Sequence, residues 1–166
     1  MKRVAIQGVI GSFHDIAAHQ YFAGEQLQVI CCSTFEQIFE NIKRDPTVIG
    51  FLAIENTIAG SLLHNYELLR SSGTTIVGEH RLHIQHAICC LPDDDWSTIH
   101  EVQSHPVALM QCRNFLANHP ELKAVEGEDT AGSAEYISRQ QCHGWAAICH
   151  ADAARMYGLK VLEDHI

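Results

Sequence analysis

The chain has 166 residues, 46% of them hydrophobic and 19% charged, a composition suited to one large globular domain or two small lobes. Eleven Lys and Arg stand against 20 Asp and Glu, a formal charge of −9, which argues against the clustered positive surface that a nucleic-acid partner demands. No run approaches the roughly 20 apolar residues of a membrane-crossing helix. The opening Met1-Lys2-Arg3-Val4-Ala5-Ile6-Gln7-Gly8 has the pattern of a first strand rather than a leader, so a cytoplasmic location is expected.

Strand-like and helical patterns alternate along the chain. After a strand at 3–7, Phe13, Ile16, Ala17 and Tyr21 keep the spacing of one helix face. A strand at 27–31 leads to Phe35, Ile38, Phe39 and Ile42, with Ser33 and Glu36 spaced as a capping box. The run at 48–54 is followed by a stripe of Ile58, Leu62, Tyr66 and Leu69. Residues 74–91 then form an extended segment roughly three times the usual strand length, closed by the acidic turn Pro92-Asp93-Asp94-Asp95. Beyond a strand at 101–103, Pro106 opens a helix with Ala108, Cys112, Phe115 and Leu116 on one side. Strands at 123–126 and 145–149 precede stripes at Ala134 and Ile137 and at Ala153, Ala154 and Tyr157, where Gly158 marks a stop. A last strand lies at 160–162. Each stripe is expected to be core packing.

Such alternation predicts an α/β protein with mostly parallel sheets and helices on both faces. The long central segment predicts two lobes, residues 1–76 and 77–166, with a ligand cleft between them. Seven cysteines suggest neither a disulfide framework nor a metal box. Their number is odd, no CxxC occurs, and Cys31, Cys32, Cys89, Cys90 and Cys149 sit in or beside apolar strand runs, where thiols are expected to be buried. His80, His83 and His86 have ligand-like spacing, but on an extended segment His83 faces away from the other two. No metal is expected. His105 and Cys112, seven residues apart and two helical turns from each other, do not make a nucleophile pair. Gly8-Val9-Ile10-Gly11 falls short of a dinucleotide fingerprint, and no phosphate-binding GxxxxGK[ST] loop occurs.

Four strand-to-helix junctions carry small polar residues with Gly or Pro. They are Gly8-Val9-Ile10-Gly11-Ser12-Phe13, Glu55-Asn56-Thr57-Ile58-Ala59-Gly60-Ser61, Ser104-His105-Pro106 and Asp129-Thr130-Ala131-Gly132-Ser133. In parallel sheets these junctions lie at the carboxyl ends of strands, where helix N-termini offer amide donors to an anion. Ordinary helix capping uses the same residue types. Four junctions, two in each half, nevertheless point to a small ligand bearing carboxylate or phosphate.

On these motifs the chain resembles the catalytic domain of the prephenate dehydratase family along nearly its whole length. The likeness comprises Gly11-Ser12-Phe13, then Ile54 through Ser61 (similar to an I-E-N-S-x-x-G-S element), and Gly78-Glu79 with His86. It continues with Ser104-His105-Pro106, Ala108-Leu109, Gln111-Cys112, Asp129-Thr130-Ala131, Ala146-Ala147-Ile148 and Tyr157-Gly158-Leu159. Departures are Gly8-Val9-Ile10 for Gly-Pro-Glu, Thr57 for Ser, Ala59 for a frequent Glu and Val107 for Gln.

The resemblance implies a fold like the type 2 periplasmic binding proteins and conversion of prephenate to phenylpyruvate in phenylalanine biosynthesis, a lyase reaction without a cofactor. It assigns Asn56, Ser104 and Gln111 to hydrogen-bonding the substrate or orienting the acid, with Glu55 supporting Asn56, shaping the cleft, or closing the strand end through a structural hydrogen bond. Substrate contacts are expected from Ser12, Phe13, Thr57, Gly60, Ser61, His105, Thr130 and Ala131. The family's Thr-Arg-Phe motif, whose Thr is taken as catalytic, and its phenylalanine-binding ACT domain are expected beyond Ile166. The chain is thus expected to be part of a longer enzyme and to have little activity alone. A homodimer is expected from the family, and phenylalanine as effector only where the ACT domain follows. Alternatives are an arogenate dehydratase and a non-catalytic binding protein for small anions, with a dinucleotide enzyme as the weakest.

Overall fold

A computed structural model describes residues 1–58 and 60–166; Ala59, one of the departures from the family pattern, lies outside them. Contacts divide the chain into two compact units, Met1–Leu82 and His83–Ile166. The division falls after Leu82, where the sequence places it after residue 76.

In the first unit β1 (Lys2–Gln7) is the middle strand of a parallel sheet, flanked by β2 (Leu27–Cys32) and β3 (Val48–Phe51). Val4, Ala5 and Ile6 are buried consecutively, without in–out alternation, because both faces of the sheet are covered. Val4 and Ile6 pack with Ala18 of α1 (Phe13–Tyr21) and with Phe22 just beyond it. Ala5 faces the other way, toward Ile38 of α2 (Phe35–Arg44), with Cys32 and Val48. The helix crosses β3 so closely that a Cβ on Gly50 would stand 2.7 Å from Ile38 Cγ2 and 2.8 Å from Ile42 Cδ1. Then β4 (Glu55–Asn56) and β5 (Gly60–Ser61) form a two-stranded antiparallel hairpin before α3 (Leu63–Ser72), which stops at Gly73 in the left-handed region (φ 69°).

The second unit has a five-stranded sheet. Its elements in chain order are β6 (Ala87–Cys90), β7 (Glu101–Ser104), α4 (Pro106–Gln111), α5 (Arg113–Asn118), β8 (Lys123–Glu126), α6 (Thr130–Gln140), β9 (Trp145–Cys149), α7 (Ala151–Met156) and β10 (Lys160–Asp164). Across the sheet the order is β10-β6-β9-β7-β8. Strand β7 pairs in parallel with β8 and β9, while β6 runs antiparallel to β9 and β10. The fold is therefore α/β with mostly parallel pairing, and β6 is the reversed strand. Ile88, Val102, Ala146 and Ile148 form its core with Ala108 and Cys112. The carboxylate of Asp94 is buried in the acidic turn, where it accepts from Gly144 N at 3.1 Å and from Thr98 Oγ1 at 3.2 Å.

Four local expectations are corrected. The 74–91 segment is not one strand: only Ala87–Cys90 joins a ladder, and Ile76 and Val77 are 71% and 74% exposed. Their β-branched side chains favour extended backbone, but no neighbouring strand supplies partners. His80 consequently bonds Gln20 at 3.1 Å in the first unit, whereas His86 is buried in the second. The stripe of Ile58, Leu62, Tyr66 and Leu69 is not the core face of a helix, because the hairpin takes residues up to Ser61 and leaves Ile58 and Tyr66 exposed. The buried position of α3 is Asn65. Helix α2 is capped at Thr34 rather than Ser33, whose amide instead donates to Gln37 Oε1 at 2.9 Å. Cys31 is exposed, since β2 is an edge strand, while Cys32, Cys89, Cys90, Cys112 and Cys149 are buried.

Truncating Ile148, central to the second unit's core, is expected to cost about 2–5 kcal/mol as Ile148→Ala. Urea unfolding monitored by circular dichroism checks this.

Candidate functional site

The four polar junctions are satisfied largely from within. At the start of α1, Ser12 is the cap: its Oγ accepts from Asp15 N at 3.4 Å, and Asp15 Oδ2 accepts from Gly11 N at 2.8 Å. Asp15 thus places a carboxylate against the helix N-terminus, where its dipole favours an anion. Ser12 is buried, and Phe13 is the first residue of the helix. At α4 the imidazole of His105 serves as cap, Nδ1 accepting from Val107 N at 3.2 Å. At α6 the cap is Asp129, whose Oδ1 accepts from Gly132 N at 2.8 Å and whose carboxylate is also held by the Ala131 amide. Burial pushes the Asp129 carboxyl upward, and these two amides with the nearby His105 oppose that. Thr130 and Ala131 are themselves buried.

The remaining junction, 55–61, is the hairpin rather than a helix start. Its shape comes from three attachments. Asn56 Oδ1 accepts from Ile58 N at 2.9 Å, Tyr66 Oη donates to Glu55 Oε1 at 3.1 Å, and Leu62 N donates to Ile54 O at 2.8 Å. Just before it, both backbone polar groups of Ala53 meet side chains from separate helices. Ala53 N–H donates to His14 Nε2 at 3.2 Å, and Asn65 Nδ2 donates to Ala53 O at 2.7 Å. His14 also bonds the backbone of Gln7 and stands edge-on to Phe35; burial lowers its pKa to about 4. Glu55, Thr57, Gly60 and Ser61 are exposed, and Asn56 is partly so.

In the second unit the carboxyl ends of β7 and β9 and the amino end of the antiparallel β6 share one edge of the sheet. Ser104 ends β7; fully buried, it donates its hydroxyl hydrogen to Ile148 O on β9 at 2.6 Å. His150 follows β9 and caps α7, with Nδ1 accepting from Asp152 N at 3.1 Å. His86 precedes β6, and its Nε2 lies 2.7 Å from Oε1 of Gln111 at the end of α4. Burial lowers the pKa of His86, opposed by the bond to Gln111.

Among the expected residues, the first unit brings Glu55, Asn56, Thr57, Gly60 and Ser61 together on one hairpin, with Ser12 and Phe13 at the start of α1. The second gathers Ser104, His105 and Gln111 along β7 and α4, with Thr130 and Ala131 opening α6. The sequence patterns assign no role to His14, Asn65 or His150 and include His86 only as part of a motif. Asn65 had one local signal, a polar residue between the apolar Leu62 and Leu69. The others depend on partners distant in the chain.

A family model described as Prephenate dehydratase matches residues 4–166. The Arabidopsis thaliana protein named arogenate dehydratase/prephenate dehydratase 6, chloroplastic, is 38% identical over 165 residues, which are 99% of this chain and 40% of that protein. The chain therefore spans well under half the length of this curated relative. Among solved structures, one described as a quorum-quenching acylase of a novel type, GqqA, superposes with a TM-score of 0.88 at 30% identity, covering 99% of this chain and 59% of the other. The prephenate dehydratase of Staphylococcus aureus subsp. aureus Mu50 superposes with a TM-score of 0.82 at 26% identity, covering 100% and 61%.

Two outcomes are expected from this geometry. Ser104→Ala leaves the buried Ile148 carbonyl without its hydroxyl donor and lowers stability by about 1–3 kcal/mol in urea unfolding. His14 is neutral in the folded protein and takes up a proton more readily when unfolded, with a pKa that falls from 6.5 to about 4 on folding. Its contribution is intact above pH 6.5 and is lost progressively as pH falls toward 4. Unfolding curves between pH 7 and about 4 should show a smaller acid loss for His14→Phe than for the unaltered protein.

Proposed function

Because this chain belongs to the prephenate dehydratase family, we propose that it is the part of a dehydratase that binds prephenate and assists its conversion to phenylpyruvate. The observation that carries this reading is the family match across residues 4–166. In the reaction the bond from the ring to its carboxylate breaks and carbon dioxide leaves. The electron pair moves through the ring and expels the hydroxyl on the far side, which takes a proton and departs as water. Aromatisation supplies the driving force, so no electron sink is called for. The protein's task is to orient the departing carboxylate, hold the side-chain carboxylate and assist proton delivery to the hydroxyl; general-acid help of this kind is worth about 10²–10⁴-fold.

Within this proposal, Gln111 and Asn56 contact substrate oxygens through their amides, and Thr57, Ser61 and Thr130 through hydroxyls. Ser12, Ser104, His105 and Ala131 act one step back, since their polar groups are engaged in capping or, for Ser104, in the bond to β9. Glu55 steadies the hairpin through Tyr66. Phe13 and Gly60 shape the surface beside these groups. A homodimer, and phenylalanine control where an ACT domain is present, belong to the same family reading. A cytoplasmic location is proposed with it.

Arogenate is the second substrate to test, because the Arabidopsis relative carries both activities in its name. Incubation of the longer enzyme that contains this chain with prephenate is expected to yield phenylpyruvate, read by its absorbance in alkali, faster than arogenate yields phenylalanine, while the 166-residue chain alone turns over little. A folded longer enzyme that releases no keto acid from prephenate would sink the proposal; faster turnover of arogenate would reassign the substrate.

A further inference from the structure

The Gln111 amide can present either end to a ligand, and the two ends have opposite chemistry. Its oxygen repels a carboxylate or a departing hydroxide, whereas its NH2 stabilises both. A half-turn about the last side-chain bond exchanges them, and in solvent neither orientation is held. In this protein the oxygen has a buried partner. His86 is 6% exposed, and its Nε2 stands 2.7 Å from Gln111 Oε1. An amide oxygen only accepts, so Nε2 carries the hydrogen.

The two residues are held by separate elements. Ala87 pairs with Cys149 in the β6–β9 ladder, and Ile166 N donates to His86 O at 3.1 Å, which ties the His86 backbone to the sheet. Gln111 ends α4, whose path is set by Pro106 at its first turn and by Ala108 and the following Cys112 in the core. The contact therefore joins a helix end to the sheet edge at which β7 also terminates.

We infer that His86 is a positioning residue: by donating Nε2–H to Gln111 Oε1, it fixes the amide so that the NH2 end is the one offered to substrate oxygens. The assignment of that substrate rests on the dehydratase reading; the His86–Gln111 pairing does not. Gln111 then acts as a donor, suited to the charge that builds on a leaving oxygen.

Long-range nitrogen–proton NMR of the imidazoles tests the pairing without any turnover. His86 is expected as the neutral Nε2–H tautomer; the Nδ1–H tautomer would mean that Gln111 donates to the ring, and would overturn the inference. Kinetics test the consequence. In the longer enzyme that contains this chain, His86→Leu is expected to lower kcat about 10- to 100-fold with little change in KM, and His86→Gln, which keeps an NH2 donor, to recover much of the loss. The double variant His86→Leu/Gln111→Ala should be no slower than Gln111→Ala alone. Multiplying losses in the double variant, or His86→Gln as slow as His86→Leu, would refute the positioning role. Absence of any prephenate turnover by the unaltered longer enzyme would reject the substrate reading instead, with the tautomer still deciding the pairing. If His86→Leu does not fold, the tautomer in the unaltered protein carries the test.

Discussion

Where a buried strand ends, its ladder stops before the chain reaches water, and the peptide groups left over need partners. An unpaired buried amide or carbonyl costs on the order of 1–3 kcal/mol, so the residues beyond each strand are chosen first for that duty. The Ala53 amide and carbonyl take His14 and Asn65, Ile148 O takes Ser104, and Ser104 O takes the Gly127 amide at 2.8 Å. Helix starts obey the same requirement through Ser12 with Asp15, through His105 and through Asp129. Much of the polar character of the junctions is therefore spent on the backbone.

This changes which atoms remain for chemistry. Amides at a helix N-terminus would suit any small anion, but here several are already bonded to the chain's own carboxylates and imidazoles. Under the proposed function, selectivity falls to side chains held at their far ends: the hairpin residues fastened by Tyr66 and by the Ala53 attachments, and Gln111 fastened by His86. Such groups lose little freedom when a ligand arrives, which is how pre-organised donors favour a transition state over a ground state. The formal charge of −9 does not oppose the proposed anionic substrate, because exposed charges are screened beyond about 8 Å at physiological salt.

Two sheets with different strand directions support these edges. The all-parallel sheet of the first unit buries β1 on both faces, and its residues alternate between α1 and α2 as partners rather than between core and solvent. In the second unit, reversal of β6 brings its amino end to the edge where β7 and β9 finish. His86 reaches Gln111 by that reversal; a parallel β6 would carry its preceding residue to the opposite edge.

Periodicity, caps and turn residues are local, and the sequence by itself determined what depends on them: the α/β alternation, the mostly parallel pairing, the entry of α4 through Pro106, the stop after α7 at Gly158, and the motifs that place the chain in its family. A strand needs a neighbour, so nothing local could distinguish residues 74–86 from the strand that follows them. A helix face depends on where the helix begins, so the β4–β5 hairpin moved the buried position of α3 to Asn65. His14 meets Ala53 across 39 positions, Ser104 meets Ile148 across 44 and His86 meets Gln111 across 25. Only the tertiary structure decided these pairs, because each requires two backbone segments to be brought together before either side chain has a partner.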